Sequence, residues 1–442
     1  MRATASQSGS DARLKRGSAT DRRATRITRT SLVFPLSRML QSFVKVGRLS
    51  VIDASGKTHV FAGKPGLNVT MQLTDPTLYR KLFFNPELHA GEAYMDGRLS
   101  FPGSSLRDFL RLFSTNRLAL SNQPIQKVLR GVSRGLKTFQ QANPVGQAQR
   151  NVAHHYDLGN DFYKLFLDTE LFYSCAYFRN EADTLEQAQI NKCRLIAAKL
   201  DLKPGQKVLD IGCGWGGLAR YLASIADVEV VGCTLSIEQH ALAVARVKAA
   251  GLDTRVRIEL RDYRQITQNF DRIVSVGMFE HVGVGHYGEF FAKVNNLLTD
   301  DGLMLLHSIG KMSPPGTASP WLRKYIFPGA YSPALSEVFP AVESNSLWVT
   351  DVEFLRVHYA TTLVHWQQRF EKNRAAIAAM YDEKFCRMWE FYLISAEMMF
   401  RTGSQEVFHM QLAKKRDAAP IVRDYTVDTQ RRYEELERSK AM

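Results

Sequence analysis

The chain has 442 residues, 45% of them hydrophobic and 10% aromatic, and a formal net charge of +14 at pH 7. A chain of this length is too long to fold around one hydrophobic core and is typical of two or three domains. No apolar run approaches the roughly 20 residues that a membrane-spanning helix needs, and the N-terminus lacks the apolar region of a secretory signal, so we expect a cytoplasmic protein, soluble or peripheral to a membrane. The five cysteines form no C-x-x-C pair, and we predict neither a metal site nor a disulfide framework.

Residues 1–30 are predicted to form a disordered basic tail. They contain eight Arg and Lys residues against Asp11 and Asp21, in a Ser/Thr/Ala-rich stretch with few large apolar side chains. The segment also resembles a transit peptide, although a solvated basic tail is the commoner explanation of this composition. The overall charge indicates an acidic partner, either nucleic acid or an anionic lipid surface, and charge alone does not choose between them.

Residues 35–120 are predicted to form a small α+β domain. The stretches "GRLSVID" and "THVFAG" alternate on either side of a turn at Gly56, which predicts a β-hairpin, and a helical stretch follows around Tyr79–Phe84. Residues 121–150, rich in Gln, Asn, Lys and Gly, are predicted to be a linker that carries one basic helix.

Residues 151–420 are predicted to form an α/β domain with a doubly wound sheet. From Lys207 onward, helical stretches alternate with five strand-like runs, "KVLDIG", "VEVVGCTL", "RVRIELRD", "FDRIVSVGM" and "LMLLHSIG". Further helices are expected around Leu363–Met380 and Phe385–Arg401. The remaining residues, 421–442, are predicted to be a charged C-terminal tail.

The turn after the first strand, "LDIGCGWGG", is the candidate cofactor loop, since ligands of open α/β sheets bind beyond the carboxyl ends of the strands. Gly212, Gly214 and Gly217 satisfy G-x-G-x-x-G, a weak signal that nicotinamide enzymes share. Asp210 favours a methyltransferase, because its carboxylate suits the cationic amino-acid end of S-adenosylmethionine and would repel a pyrophosphate.

The next two strand tips supply further candidate cofactor ligands. The second strand ends without the acid that a dinucleotide enzyme places near the ribose, so hydroxyl groups or Gln239 must take that role. At the end of the third strand, Asp262 offers a hydrogen-bond acceptor and Tyr263 an aromatic face for adenine. Asp262 alternatively caps a helix, but the convergence of three strand tips favours a binding role.

Six motifs in order identify a resemblance to a known family: "HYDLGNDFY", "YSCAYF", "LDIGCGWGG", "SVGMFEHVG", "LLHSIG" and "KYIFPG". The chain resembles the cyclopropane-fatty-acyl-phospholipid synthases, which are similar to the mycolic acid cyclopropane synthases. The resemblance covers residues 150 to about 410 and implies a Rossmann-like class I methyltransferase fold. It implies methyl transfer from S-adenosylmethionine to a cis double bond of a phospholipid acyl chain, followed by ring closure with a bicarbonate ion. The N-terminal domain is similar, more loosely, to the extra, lipid-associated domain of the phospholipid enzymes.

The resemblance also implies roles for individual residues. Tyr173 and Ser174 would close over the cofactor, and the segment from Thr234 to Gln239 and Tyr263 would hold its ribose and adenine, beside Gly212, Gly214 and Gly216 of the loop. A bicarbonate ion would lie next to the methyl group, bound by the Cys175 segment, Glu280, His307 and Tyr359. The chain departs from the family at Ala396, where many relatives have a cysteine, so such a cysteine is no required nucleophile here.

The implied chemistry requires a dry site. An isolated alkene is a poor nucleophile that must be held in line with the methyl group, and the resulting carbocation needs a nearby base and the exclusion of water. Glu280 could instead be the base itself or cap the following segment, and His307 could be an ordinary core histidine. Because the two residues lie on or just after adjacent strands, a catalytic role is favoured for both. His281 is assigned a structural role. Five aromatic residues are candidates to line an apolar channel, with only two or three expected to touch lipid: Phe162, Phe166, Phe172, Tyr177 and Phe178.

Three alternative functions remain open. A nucleic-acid methyltransferase would interleave basic residues through its catalytic loops, whereas here the basic excess lies in the tail and linker, so we expect no nucleic-acid partner. A lipid-binding protein without activity would not need Asp210 beside a Gly-rich loop. A relative that makes methyl-branched fatty acids or methylates a small amine shares most motifs. We therefore expect unsaturated phospholipids at an anionic membrane surface as the partner, and homodimer formation stays open.

Overall fold

The computed structural model describes residues 34–117 and 158–441. The predicted basic tail and the predicted linker at 121–150 lie outside the described residues. Within the described ranges, no helix is both long and apolar enough to cross a membrane.

The N-terminal domain contains a four-stranded sheet and four helices. The sheet order is β2-β1-β3-β4, and β1 pairs antiparallel with β2 across the turn at Gly56, whose φ of 84° suits glycine; this confirms the predicted hairpin. The elements are α1 (Phe34–Phe43), β1 (Val46–Ile52), β2 (Thr58–Ala62), β3 (Lys64–Leu73), α2 (Thr77–Phe84), α3 (Pro86–Met95), β4 (Leu99–Ser100) and α4 (Leu106–Thr115).

The second domain contains a seven-stranded sheet in the order β10-β11-β9-β8-β5-β6-β7. Strands β5 to β9 run parallel, whereas β11 runs antiparallel to both β9 and β10, and the five predicted strands are confirmed. The strands are β5 (Gln206–Ile211), β6 (Val228–Thr234), β7 (Val256–Leu260), β8 (Phe270–Val276), β9 (Leu298–Lys311), β10 (Trp348–Phe354) and β11 (Gln405–Ala413).

Helices cover both faces of this sheet, which confirms the doubly wound α/β class. They are α5 (Asn160–Lys164), α6 (Leu185–Lys199), α7 (Gly217–Ile225), α8 (Ile237–Ala249), α9 (Tyr287–Leu297), α10 (Pro320–Tyr325), α11 (Leu335–Glu343), α12 (His358–Lys372), α13 (Arg374–Met380), α14 (Glu383–Arg401) and α15 (Asp424–Ala441). The predicted charged C-terminal tail thus contains a helix, α15, which packs against α6: the guanidinium of Arg194 donates to Glu437 over 3.0 Å.

Helix α14 joins the two domains. The hydroxyl of Tyr94 on α3 donates to Glu390 over 2.8 Å, and Arg107 on α4 forms an ion pair with the buried Glu397. Gly91 packs so tightly on Trp321 of α10 that an added Cβ would lie 2.4 Å from the indole nitrogen. The N-terminal domain is therefore fixed against the helices that follow β9 and β10.

Candidate active site

A first cavity lies at the carboxyl ends of β5 to β8, and it brings together most of the predicted cofactor ligands. Its lining includes Tyr173, Ser174, Asp210, Gly212, Gly214, Thr234, Gln239, Asp262 and Tyr263. Parallel strands that end at one edge of a sheet explain how residues far apart in the chain converge there.

The glycines of the loop after β5 adopt a backbone that other residues avoid. Gly212, Gly214 and Gly216 have φ values of 81°, 54° and 76°. A Cβ at Gly212 would lie 2.9 Å from the Cβ of Met278. Gly212 and Gly214 line the cavity, whereas Gly216 does not. Gly216 directly precedes the first turn of α7 and contributes to the shape of the loop.

Asp210 offers a buried acceptor to a cationic ligand. Its Oδ2 is buried without a hydrogen-bond partner among the described residues. Burial raises the pKa of this carboxyl to about 7, although the positive charge of Lys192 opposes the shift. An ammonium group in the cavity would satisfy the oxygen and restore the charge, so the residue fits the amino-acid end of S-adenosylmethionine.

Lys192 is a cavity residue that the sequence analysis missed. It is buried on α6, where its ammonium donates to the hydroxyl of Ser174 over 3.0 Å and lies 3.6 Å from the ring centroid of Phe172. Burial lowers its pKa. The only sequence signal is a lysine in a helix just before the first strand, which by itself indicates a solvated face.

The predicted ribose and adenine ligands are already held by neighbouring groups. The hydroxyl of Thr234 donates to Gln239 over 3.0 Å. The carboxylate of Asp262 accepts from the backbone N–H and the guanidinium of Arg264, so Asp262 caps the turn that follows and also lines the cavity. Tyr263 packs edge to face on Phe290. Asp262 therefore both caps the following turn and lies in the predicted site.

A second cavity of about 1200 Å³ meets the first and is lined mainly by apolar and aromatic side chains. The two cavities share Tyr173, Ser174, Gly277 and His281. Both domains supply aromatic walls: Phe84, Phe109, Phe113, Trp321, Phe327, Tyr331, Phe391, Tyr392 and Phe400. The four predicted catalytic residues, Cys175, Glu280, His307 and Tyr359, all line this second cavity.

Glu280 and His307 lie on neighbouring elements and both line the second cavity. The Oε1 of Glu280 accepts from the N–H of Ile309 over 2.7 Å, whereas its Oε2 is buried without a partner among the described residues. Burial raises the pKa of Glu280 to about 7 and lowers the pKa of His307 to about 3, so the imidazole is neutral. A neutral imidazole and an orphaned carboxyl oxygen fit a small anion that both accepts and donates hydrogen bonds.

The two other predicted catalytic residues complete this wall. The thiol of Cys175 donates to the carbonyl of Ala176 over 3.3 Å, and burial raises its pKa, so it is no ionised nucleophile. Tyr359, on α12, packs 4.8 Å from the ring centroid of Phe400. Ala396 lines the same cavity.

The prediction of the channel aromatics was wrong. Among the described residues that line the second cavity, none of the five candidates occurs. Phe162 and Phe166 are fully buried core residues, and Phe172 lines the cofactor cavity instead.

His281, for which a structural role was predicted, lies where the two cavities meet, and burial lowers its pKa to about 4. Among residues 34–117 and 158–441, no group of His, Cys, Asp or Glu is arranged to hold a metal ion.

The chain is similar to known proteins over most of its second domain. The family model for mycolic acid cyclopropane synthetase matches residues 145–410. The chain is 39% identical over 349 residues to the cyclopropane-fatty-acyl-phospholipid synthase of Escherichia coli K12, covering 78% of this chain and 87% of that one.

Two solved structures are similar. The cyclopropane synthase MmaA2 of Mycobacterium tuberculosis superposes with a TM-score of 0.58 at 35% identity, covering 62% of this chain and 99% of that one. Mycolic acid cyclopropane synthase CmaA1, solved with SAH and CTAB, superposes with a TM-score of 0.58 at 36% identity, covering 61% and 99%. The chain therefore belongs to the cyclopropane synthase family of S-adenosylmethionine-dependent methyltransferases.

Proposed function

We propose that this enzyme methylates a cis double bond in the acyl chain of an unsaturated phospholipid and closes a cyclopropane ring. The observation that carries the proposal is the junction of the two cavities at Tyr173, Ser174, Gly277 and His281. An apolar cavity that opens into a cofactor site suits a long hydrocarbon chain better than a small amine or a nucleotide base. The name and the long match of the Escherichia coli relative support a phospholipid substrate.

The residues of the chain bind, orient and exclude water. When bound, S-adenosylmethionine supplies the electrophilic methyl group. Asp210 would pair with its ammonium group, and the Gly-rich loop would let the backbone approach the cofactor closely. Tyr173 lies at the junction and shares a hydrogen bond with Tyr392 over 2.8 Å, which ties the cofactor side to the wall formed by α14. The aromatic walls keep water from a cation that develops on the substrate.

We further propose that Glu280, His307, Tyr359 and the Cys175 segment hold a bicarbonate ion that serves as the base. Glu280 would accept a hydrogen bond from the ion through its unpaired Oε2, and the neutral ring of His307 would supply a second contact. When bound, the ion would supply a small proton acceptor beside the substrate. The side chains hold this acceptor in place, since both are themselves fixed to the sheet.

Product analysis tests the proposed reaction. We expect the purified enzyme, given S-adenosylmethionine and vesicles of a monounsaturated phospholipid, to add one CH₂ unit to the acyl chain without a remaining double bond, as measured by mass spectrometry and proton NMR. A saturated phospholipid serves as the control. An exomethylene or methyl-branched product would refute ring closure, and methylation of small amines in place of lipid would refute the substrate.

Binding to an anionic membrane on the cytoplasmic side is proposed to precede catalysis. The lining of the second cavity includes the cations Arg117 and Arg323 and the apolar Phe84, which is 45% exposed. Met312, which is 68% exposed, lies in the chain between the lining residues Lys311 and Ser313. Cations and exposed apolar side chains around one cavity suit anionic headgroups above a hydrocarbon layer. The basic tail adds charge at the N-terminus.

Deletion of residues 1–30 is expected to weaken vesicle binding at low salt more than at high salt. Each basic residue near an anionic surface contributes roughly 1 kcal/mol before screening. As a matched control, Met312→Ser removes an apolar contact and should weaken binding about equally at both salt concentrations. Co-sedimentation with phosphatidylglycerol vesicles measures both effects, and an equal loss at both concentrations on deletion of the tail would contradict the electrostatic explanation.

A further inference from the structure

Two histidines face each other across neighbouring strands behind the second cavity. His307 on β9 and His409 on β11 are direct partners in the antiparallel register, so their side chains lie on the same face of the sheet. The Nδ1 of His307 lies 2.8 Å from the Nε2 of His409, which is a hydrogen bond in which one ring donates to the other. His307 is 2% exposed and lines the cavity, whereas His409 is 1% exposed and is not among the described residues that line it.

The surroundings of His409 decide which ring donates. Its Nδ1 is buried and has no partner among the described residues. If Nε2 of His409 accepted the bond, its hydrogen would be on Nδ1 and would lack an acceptor, and a buried N–H without an acceptor is rare. If Nε2 donates, only an unprotonated nitrogen is left without a partner. A doubly protonated ring is disfavoured, because burial and the charges of Lys199 and Lys192 lower the pKa of His409.

We propose that His409 is a positioning residue that donates its Nε2 hydrogen to Nδ1 of His307 and thereby fixes the hydrogen of His307 on Nε2. His307 then has one N–H to offer to the cavity that Glu280 also lines. This arrangement prepares a hydrogen-bond donor for an anion before any anion binds. The proposal rests on the proposed function for its purpose, but the tautomer itself is a property of the protein alone.

The tautomer is measured directly by NMR of the full chain labelled with ¹⁵N-histidine. We expect His307 to show a protonated Nε2 and an unprotonated Nδ1 in the absence of substrate, with the signals assigned by comparison with the His307→Ala and His409→Gln variants. A hydrogen on Nδ1 of His307 would overturn the proposal. This measurement needs no turnover, so it stands even if the proposed reaction is refuted.

Two substitutions of His409 separate positioning from packing. His409→Gln keeps an N–H donor at a similar reach, and His409→Leu fills similar space without a donor. We expect the Gln variant to keep kcat within a few-fold and the Leu variant to lose about 10-fold or more, with KM for S-adenosylmethionine unchanged in both. Equal kcat for a folded Leu variant and the wild type would overturn the proposal, and if the Leu variant does not fold, the tautomer of the wild type still decides.

Discussion

Asp210→Ala is expected to lower the affinity for S-adenosylmethionine by about 100-fold, to below detection by calorimetry under ordinary conditions. The substitution removes the one buried carboxylate at the base of the Gly-rich loop, and a hydrogen bond to a charged group contributes about 1.5 to 3 kcal/mol. It also removes one of the two acidic groups, Asp168 and Asp210, whose charges favour the protonated form of the buried Lys192. Asp210→Asn keeps the shape of the side chain and removes only its charge. If the charge matters, the affinity of this variant for S-adenosylmethionine should also fall.

The same residue makes cofactor binding depend on pH. The pKa of Asp210 is about 7 in the free enzyme, so the carboxyl is largely protonated below that pH. A bound ammonium group favours the ionised form, so binding below pH 7 releases a proton, and the affinity rises with pH up to about 7 and then levels off. Calorimetry in buffers of different ionisation enthalpy measures this release. Unchanged affinity in Asp210→Ala, or no proton release at pH 6, would mean that the cationic end of the cofactor binds elsewhere.

Glu280→Gln should retain cofactor binding and lose most ring formation, with kcat about 100-fold lower. Glutamine keeps a carbonyl oxygen for the N–H of Ile309, so the local fold should survive, whereas the amide cannot take up a proton as the carboxylate does. Glu280 lines the second cavity and not the first. Electrostatic contacts that form mainly in the transition state affect kcat more than binding. The loss of one such contact in a site without water typically lowers kcat by about 100-fold. His307→Ala should behave similarly.

Removal of dissolved carbonate tests what these side chains hold. The wild-type rate should fall in carbonate-free buffer and recover when bicarbonate is added, whereas Glu280→Gln should stay largely inactive in both. Single-turnover rates with tight control of dissolved CO₂ give the measurement. If the wild-type rate ignores bicarbonate and falls only on substitution of Glu280, the carboxylate is itself the base.

The sequence was sufficient for the parallel half of the sheet and for the cofactor loop, because both are local patterns. Buried parallel strands are continuous apolar runs, and glycines at fixed spacing after the first of them mark the loop. Strands β10 and β11 were missed. In β11, Glu406, His409 and Gln411 interrupt the apolar run although every residue after Gln405 is buried, so the segment shows neither alternation nor a continuous apolar stretch.

The parts of the site that escaped prediction depend on packing between distant segments. His409 is significant only because β11 inserts beside β9, and Lys192 only because α6 turns that side chain toward Ser174. The aromatic walls were assigned to the motif-rich segment near Phe162, where aromatic residues are frequent. They come instead from the N-terminal domain, from α10 and the segment that follows it, and from α14, and no pattern in the sequence indicates that these elements share a cavity.

Helix α14 contacts both the N-terminal domain and the second cavity. One side of the helix binds the N-terminal domain through Glu390 and Glu397, and another carries Tyr392 and Ala396 on the cavity wall. Most walls of the second cavity belong to the methyltransferase domain, whereas residues of the N-terminal domain, among them Phe84, Phe109 and Phe113, form the rest. Substitutions in the N-terminal domain can therefore change the shape of the second cavity without altering the residues that line the cofactor cavity at the strand ends.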